Sequence, residues 1–360
     1  MIEFWRSGGA ESTTSVQDAR RVEAEGWDGQ MFMDSQSLSA DPYVRMGVWA
    51  AATQRLKLST GVTNPATRHP AVTAAAAATL QSVSNGRAVL GIGRGDSALA
   101  YLGHAPTSLA AFRQALHNLQ TLLSGRDVGF QRDGLITDAP LMETMSLGGR
   151  PTATRLQWLL QGLPKVPLDV AATGPKVIEM SATIAERVTF SVGAVHERIS
   201  WALELARAAR KKQNLSDDTI SFGAQVIVVC HPDVEKVRQA ATGLVAPLAR
   251  FQCIQGTAAG PKTADDEENF DAIRRGYDMT KHAIALASDK VKGGTLSWDF
   301  VRRFAIVGPP DHCIERLLTL HALGIGRFVV VGPDYHAEAG NDGRSLFASE
   351  VMPAVRAAIN

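Results

Sequence analysis

The chain has 360 residues, of which 45% are hydrophobic and 20% are charged, a composition typical of a globular protein. Its 37 basic and 36 acidic residues nearly balance, to a formal net charge of +1, and no basic stripe stands out, so we expect no nucleic-acid partner. The sequence has no signal-peptide pattern and no apolar run of the ~18 residues that a membrane span requires, so we expect a cytoplasmic protein without a membrane partner.

Short apolar segments typical of strands alternate with segments of helical spacing. The sequence predicts eight strands: Ile2–Trp5, Gly29–Asp34, Leu56–Thr60, Arg87–Ile92, Leu168–Ala172, Arg187–Ser191, one within Thr219–Cys230, and Arg327–Val331. It predicts helices at Val16–Gly26, Pro42–Thr53, Ala71–Val83, Leu109–Leu123, Lys176–Ala185, Ile199–Lys212 and Leu346–Ile359. Helix starts follow from capping patterns, such as Asp41 ahead of Pro42.

Eight short strands, most of them followed by a helix and not joined by tight hairpins, predict parallel pairing. This count favours one (β/α)8 TIM barrel over residues 1–360, and an open doubly wound sheet with a helical insert is the alternative. Two insertions interrupt the alternation of strands and helices, at about residues 125–167 after strand four and 251–305 after strand seven. Extra length after a barrel strand builds the catalytic face, so we expect these insertions to determine the small-molecule substrate.

Metal chemistry is not indicated. The three cysteines, Cys230, Cys253 and Cys313, lie far apart without C-x-x-C spacing, which predicts reduced thiols rather than a zinc site or a disulfide. No H-E-x-x-H, G-x-S-x-G or P-loop motif is present. We therefore expect no metal.

Polar and glycine-rich stretches follow the predicted strands two to six, where a parallel barrel carries its function. They contain the candidate residues Asp34, Ser35, Gly61, Val62, Asn64, Gly93, Gly95, Asp96, Thr173, Gly174, Pro175, Lys176, Val177 and His196. The glycines allow a ligand to lie against the backbone. The stretch 173–176 suits an anion, because a helix N-terminus presents free N–H groups next to a lysine. The stretch GIGRGD fails the dinucleotide fingerprint in both spacing and position.

The stretches DSQS, TGVTNPATRHPAV, LGIGRGDSA and AATGPK resemble the luciferase-like flavin and deazaflavin oxidoreductases, and most closely the coenzyme F420 branch that includes methylenetetrahydromethanopterin reductase. The resemblance implies a barrel with the cofactor ring across strands two to four. It implies a non-prolyl cis peptide at Gly61–Val62 behind the ring, Asn64 on the pyrimidine edge and Asp34 in contact with the cofactor. Residues 173–177 would hold the phosphate end, and a homodimer is expected.

The resulting hypothesis is an F420-dependent hydride transfer to or from a carbonyl, an imine or an activated alkene. Asp96 is the first candidate for the acid or base and His196 the second. Ser35 replaces the catalytic histidine of the sugar-phosphate dehydrogenases in this family, which argues against that substrate. Arg68 and His69 are expected to cap the third helix. The alternative is an FMN-dependent monooxygenase supplied by a separate cofactor-reducing enzyme, and a third reading is a flavin-binding partner subunit.

Overall fold

The computed structural model describes residues 2–8, 15–130, 139–282, 296–332 and 345–359. The strands in these ranges are β1 (Glu3–Ser7), β2 (Gly29–Phe32), β3 (Lys57–Thr60), β4 (Ala88–Ile92), β5 (Val128–Gly129), β6 (Ala153–Thr154), β7 (Leu168–Ala172), β8 (Arg187–Phe190), β9 (Ser221–Cys230), β10 (Ile306–Gly308) and β11 (Arg327–Val331). The α-helices are Val16–Ala24, Pro42–Ala52, Pro70–Val83, Ser97–Ala100, Leu109–Leu123, Pro175–Ile184, His196–Lys212, Val234–Ala249, Ala264–Gly276, Trp298–Phe304, Pro310–Ala322 and Met352–Ile359.

Eight of the strands close into a parallel barrel. Their order is β1, β2, β3, β4, β7, β8, β9 and β11, and β11 completes the ring by pairing with β1. These are the eight strands predicted from the sequence, so the predicted (β/α)8 barrel is confirmed and the open sheet is excluded. Apolar side chains between strands and helices form the main core, in which Phe4, Phe32, Phe112, Phe190 and Phe328 are fully buried. Among the described residues, no helix has the length and apolar character to cross a bilayer.

The structure differs from the sequence prediction around the second insertion. The three-residue strand β10 was not predicted, and it pairs with the end of β9 through Ile306 and Val228. Three residues are too few to give a recognisable strand pattern. The helix Val234–Ala249 was also not predicted, and it packs with Phe270 and Phe300 in a second apolar core. The first insertion carries a small two-stranded antiparallel sheet formed by β5 and β6. Parts of both insertions, 131–138 and 283–295, lie outside the described residues.

Charged side chains fill the amino-terminal half of the barrel interior. Glu3 on β1 accepts hydrogen bonds from Lys57 Nζ on β3 at 2.6 Å and from Arg187 Nη2 on β8 at 2.5 Å. The guanidinium of Arg327 on β11 is fully buried, and its Nη2 lies 3.0 Å from Asp169 Oδ2 on β7. Side chains of five strands thus meet in one network of opposite charges, which suits buried ions because each one needs a partner.

Two glycines make room for this network. A Cβ atom at Gly223 would lie 2.9 Å from the guanidinium carbon of Arg327, and a Cβ atom at Gly29 would lie 2.4 Å from the ring of Trp5. The Trp5 ring in turn stacks under the guanidinium of Arg187, whose carbon lies 5.2 Å from the ring centroid. Any larger residue at either glycine would therefore displace a buried side chain of the barrel interior.

The network shifts the pKa values of its members. Burial lowers the pKa of Arg327 to about 10, although Asp169 acts against that shift. Burial alone would raise the pKa of Glu3, but Arg187 and Lys57 outweigh it and lower the pKa from 4.5 to about 2. A carboxyl group whose pKa is lowered by folding makes its full contribution to stability when the pH is above its pKa in the unfolded chain. This contribution is lost as the pH falls toward its pKa in the folded protein.

We expect Glu3→Gln to reduce the free energy of unfolding at neutral pH by about 2–3 kcal/mol, because the variant loses the attraction to Arg187 and Lys57. The difference from wild type should shrink below about pH 4.5 as Glu3 becomes protonated in the unfolded chain. Urea unfolding between about pH 6 and pH 3 measures it. Glu268→Gln, at an exposed position, serves as the control and should show no such pH dependence. A difference for Glu3→Gln that stays constant with pH would contradict the assignment.

Candidate active site

A cavity of about 680 Å³ opens where the barrel strands end. A cavity of this size takes a small-molecule ligand or cofactor. The loops after β2, β3, β4 and β7 form its near walls, and side chains of the barrel strands, such as Asp169 and Gln225, form its floor. The far wall is the end of the helix Val234–Ala249 with the segment that follows it. This wall is largely apolar and includes Leu244, Leu248 and Phe251.

Thirteen of the fourteen candidate residues from the sequence line this cavity. They are Asp34, Ser35, Gly61, Val62, Asn64, Gly93, Gly95, Asp96, Thr173, Gly174, Pro175, Lys176 and Val177. The exception is His196, the exposed first residue of the helix His196–Lys212, which is not among the described residues of the lining. Its position after the predicted sixth strand suggested a location at the rim, but the side chain is exposed at the start of the helix. The structure therefore gives His196 no place at the cavity.

The turn after β3 forms one wall of the cavity. The peptide bond between Gly61 and Val62 is cis, as the resemblance implied. A Cβ atom at Gly61 would lie 2.6 Å from Cβ of Met31, so only glycine fits there. Beyond the bond, Thr63 N–H donates to the Gly91 carbonyl at 2.9 Å, and Gly93 N–H donates to the Thr63 carbonyl at 2.9 Å. These bonds tie the turn to β4.

Asn64 continues this wall and has an unused donor. Its Oδ1 accepts hydrogen bonds from the backbone N–H groups of Ala66 and Thr67, both at 3.0 Å, which fixes the side chain in the turn. Its Nδ2 is buried and has no hydrogen-bond partner among the described residues. A buried amide donor without a partner is costly, and a ligand acceptor in the cavity would satisfy it.

Asp34 is held by an arginine. Arg68 Nη1 donates to Asp34 Oδ2, and Arg68 Nη2 donates to Asp41 Oδ2 at 2.7 Å. Burial acts to lower the pKa of Arg68, but Asp34 and Asp41 outweigh burial and raise it. The guanidinium also lies over the ring of Tyr43, 5.3 Å from the centroid. The Asp34 carboxylate is therefore fixed and nearly buried beside the cavity.

The expectation for the start of the third helix is half right. His69 caps the helix Pro70–Val83, because its Nδ1 accepts a hydrogen bond from Ala71 N–H at 3.1 Å. The expectation that Arg68 also caps this helix is wrong. A helix N-terminus needs an acceptor, and a guanidinium has only donors, so Arg68 pairs with the carboxylates instead.

Asp96 also has an arginine partner, which the sequence analysis did not identify. Arg250 Nη1 donates to Asp96 Oδ2, and the Arg250 guanidinium stacks on Phe251 and Tyr277, 4.6 and 5.3 Å from their centroids. Arg250 is 3% exposed. Asp96 Oδ1 has no hydrogen-bond partner among the described residues, so this oxygen is available to a ligand. Ser35 lies nearby on the same wall, with its Oγ 3.4 Å from Ser97 Oγ.

The loop after β7 provides the start of a helix. Gly174 is the N-cap of the helix Pro175–Ile184 and makes no side-chain cap. Pro175 has no N–H and the Val177 N–H donates to the Gly174 carbonyl at 3.1 Å, so the Lys176 N–H is the first-turn donor that remains available for an anion. A Cβ atom at Gly174 would meet no atom within 4 Å, so the backbone here is open to a ligand. The exposed Lys176 stands in the first turn of this helix and adds a positive charge.

The fold and the cavity together define an enzyme-type (β/α)8 barrel with its site at the carboxyl ends of the strands. The model of the luciferase-like monooxygenase family matches residues 4–327, which is most of the chain. The protein belongs to this family.

The relatives of this chain include methylenetetrahydromethanopterin reductases and F420-dependent glucose-6-phosphate dehydrogenases. The 5,10-methylenetetrahydromethanopterin reductase of Methanolobus tindarius is 25% identical over 320 residues, 88% of this chain and 89% of the relative. The F420-dependent glucose-6-phosphate dehydrogenase of Beutenbergia cavernae is 25% identical over 332 residues, 87% of this chain and 82% of the relative. The solved coenzyme F420 dependent tetrahydromethanopterin reductase from Methanopyrus kandleri matches 98% of this chain and 99% of its own, with a TM-score of 0.69 at 22% identity, which supports the fold.

We expect the Asp96–Arg250 ion pair to stabilise the protein, because it joins the loop after β4 to the far wall with one partner nearly buried. In a double-mutant cycle of Asp96→Asn and Arg250→Met, measured by urea unfolding, the coupling energy should be about 1–3 kcal/mol. The exposed pair Asp299 and Arg302, changed to Asn and Met, is the control and should show no measurable coupling. Equal coupling in the two cycles would show that the buried pair has no structural role.

Proposed function

We propose that this protein is an oxidoreductase that binds coenzyme F420 and transfers a hydride between C5 of the deazaflavin and a small organic carbonyl, imine or activated alkene. The observation that carries the proposal is the convergence of thirteen candidate residues on one cavity, with the Gly61–Val62 turn and the unused Asn64 donor on the same wall. F420 dependence appears in the names of the glucose-6-phosphate dehydrogenase relatives, which are 25% identical to this chain.

The residues of the cavity fit a deazaflavin. When bound, the cofactor supplies C5 as the donor or acceptor of the hydride, and the protein supplies position and electrostatics. Gly61 and Gly93 let a flat ring approach the backbone, because no side chain projects from them into the cavity. The free Nδ2 of Asn64 would donate to a carbonyl on the polar edge of the ring. The Asp34 carboxylate, fixed by Arg68, would accept from a ring N–H or a hydroxyl.

The residues 173–177 would hold the phosphate end of the cofactor. The Lys176 N–H at the start of the helix Pro175–Ile184 and the positive end of the helix dipole favour an anion. Thr173 and Lys176 add a hydroxyl and an ammonium group to the same turn. This places the anion-binding turn one strand away from the loop of Asp96, since β7 pairs with β4.

Asp96 is the group at which we place proton exchange. When a hydride leaves the carbon of an alcohol, one proton must leave its oxygen. When a hydride reaches the carbon of a carbonyl group, one proton must reach its oxygen. Asp96 Oδ1 has no hydrogen-bond partner among the described residues, so it would take the proton when an alcohol is oxidised and return it in the reverse reaction. The apolar far wall would keep water away from the reacting atoms.

The alternative is an FMN-dependent monooxygenase, which the family name allows. The monooxygenases and FMN-containing enzymes among the solved structures have 18% identity or less, so they support the fold alone. The relatives at 25% identity favour F420 over FMN through their names. Cofactor binding therefore decides between the two hypotheses.

We expect the purified protein to bind F420 at least ten times more tightly than FMN when ring fluorescence is followed in a titration. Asn64→Asp should weaken F420 binding about tenfold or more, because it keeps the acceptor Oδ1 for the turn and replaces only the donor. Asn118→Asp, the same change on the helix Leu109–Leu123 away from the cavity, is the control and should bind like wild type. Tight binding of FMN without binding of F420 would refute the proposed function.

We expect Asp96→Asn to lower kcat by about a hundredfold or more while the Kd for F420 changes less than about threefold. The reaction is followed as reoxidation of reduced F420 by the best acceptor from a panel of simple ketones, imines and enones. His196→Ala should leave turnover unchanged, because His196 is exposed outside the cavity. Unchanged turnover in Asp96→Asn would remove this residue from the mechanism, and a loss in His196→Ala would reinstate the histidine.

A further inference from the structure

We propose that Arg94 binds the anionic end of the cofactor, and that with Lys176 it forms an anion site beside the helix Pro175–Ile184. This inference rests on the proposed function, because the ligand it takes is the phosphodiester and carboxylate end of F420. Neither the resemblance nor any candidate motif assigned a role to Arg94.

The charges of the cavity lining lead to this assignment. Three acidic residues line the cavity, and each has an arginine partner: Asp34 pairs with Arg68, Asp96 with Arg250 and Asp169 with Arg327. Among the lysines and arginines of the described lining, Arg94 and Lys176 have no acidic partner in the described chain. These two cations therefore give the cavity wall a positive charge that favours an anionic ligand.

The register of the barrel puts the two cations after neighbouring strands, Arg94 in the loop after β4 and Lys176 in the helix that follows β7. Ile92 on β4 pairs with Val170 on β7, so Arg94 follows at the level of Ala172, one residue before the anion-binding turn. A Cβ atom at Gly93 would lie 4.0 Å from Cβ of Ala171, which agrees with this placement. Arg94 and Lys176 therefore follow adjacent strands of the barrel and line the same cavity.

The guanidinium of Arg94 is held in place by neutral acceptors. Its Nε donates to the Thr107 carbonyl at 2.7 Å, and its Nη1 donates to Gln255 Oε1 at 3.3 Å. Burial lowers the pKa of Arg94, and no carboxylate acts against this shift. The side chain is therefore oriented without being neutralised. A positioned guanidinium binds phosphate and carboxylate oxygens through paired hydrogen bonds, which an ammonium group cannot do.

The test compares two ligands that differ only at the anionic end. Wild type, Arg94→Met and Arg94→Lys are titrated with F420 and with FO, which has the same ring and ribityl chain but no phosphate or glutamate. We expect Arg94→Met to weaken F420 binding about tenfold or more and to change FO binding less than about twofold. Arg94→Lys should lie between wild type and Arg94→Met for F420. The loss for F420 should shrink at high salt, because the interaction is electrostatic.

Arg113→Met, on the exposed face of the helix Leu109–Leu123, removes the same charge outside the cavity and should leave both affinities unchanged. An equal loss for F420 and FO in Arg94→Met, or no loss for F420, overturns the inference and leaves the proposed function standing. Failure of wild type to bind F420 overturns the proposed function, and this inference with it.

Discussion

The buried ion network at the amino-terminal end of the barrel is the constraint on which the rest of the structure depends. Glu3, Asp169, Arg187 and Arg327 come from four different strands, and each charge is compensated only in the observed register. A shift of one residue in any of these strands would turn a charged side chain away from its partner and leave a buried charge unpaired, which costs several kcal/mol. The network therefore fixes the strand register, and with it the height at which every loop leaves the barrel.

Ion pairs also organise the rim at the carboxyl ends of the strands, where they connect loops rather than strands. Asp34 and Asp96 are each tied to an arginine from a distant part of the chain, so these two ion pairs join the loops around the cavity. Arg250 links the loop after β4 to the far wall, and Arg68 links the ends of β2 and β3. The carboxylates are thereby fixed as acceptors. The charge left over is positive and lies along β4 and β7, where we place the anionic end of the cofactor.

The sequence predicts the barrel well because its signals are local. Each barrel strand is a short apolar run, and the glycine and amide pattern after β3 is specific enough to locate the Gly61–Val62 turn. The signals that were missed are not local. Arg250 is 154 residues from Asp96, and nothing in its neighbourhood marks it as part of the site. Arg187 and Arg327 begin predicted strands and look there like ordinary surface residues, although both point into the charged network. His196 was misplaced because a position at the rim does not fix the direction of a side chain.

Under the proposed function, these pairs also connect the two ends of the reaction site. Asp96 faces the reacting atoms with one oxygen and Arg250 with the other, and Arg250 belongs to the far wall with Leu244 and Leu248. Two residues before Asp96 on the same loop, Arg94 faces the anionic end of the ligand. A ligand anion that engages Arg94 therefore positions the loop that carries the proton acceptor. Binding energy gained at the remote end of a cofactor can in this way orient the group that reacts. Enzymes commonly use remote binding energy to hold the reacting groups in position.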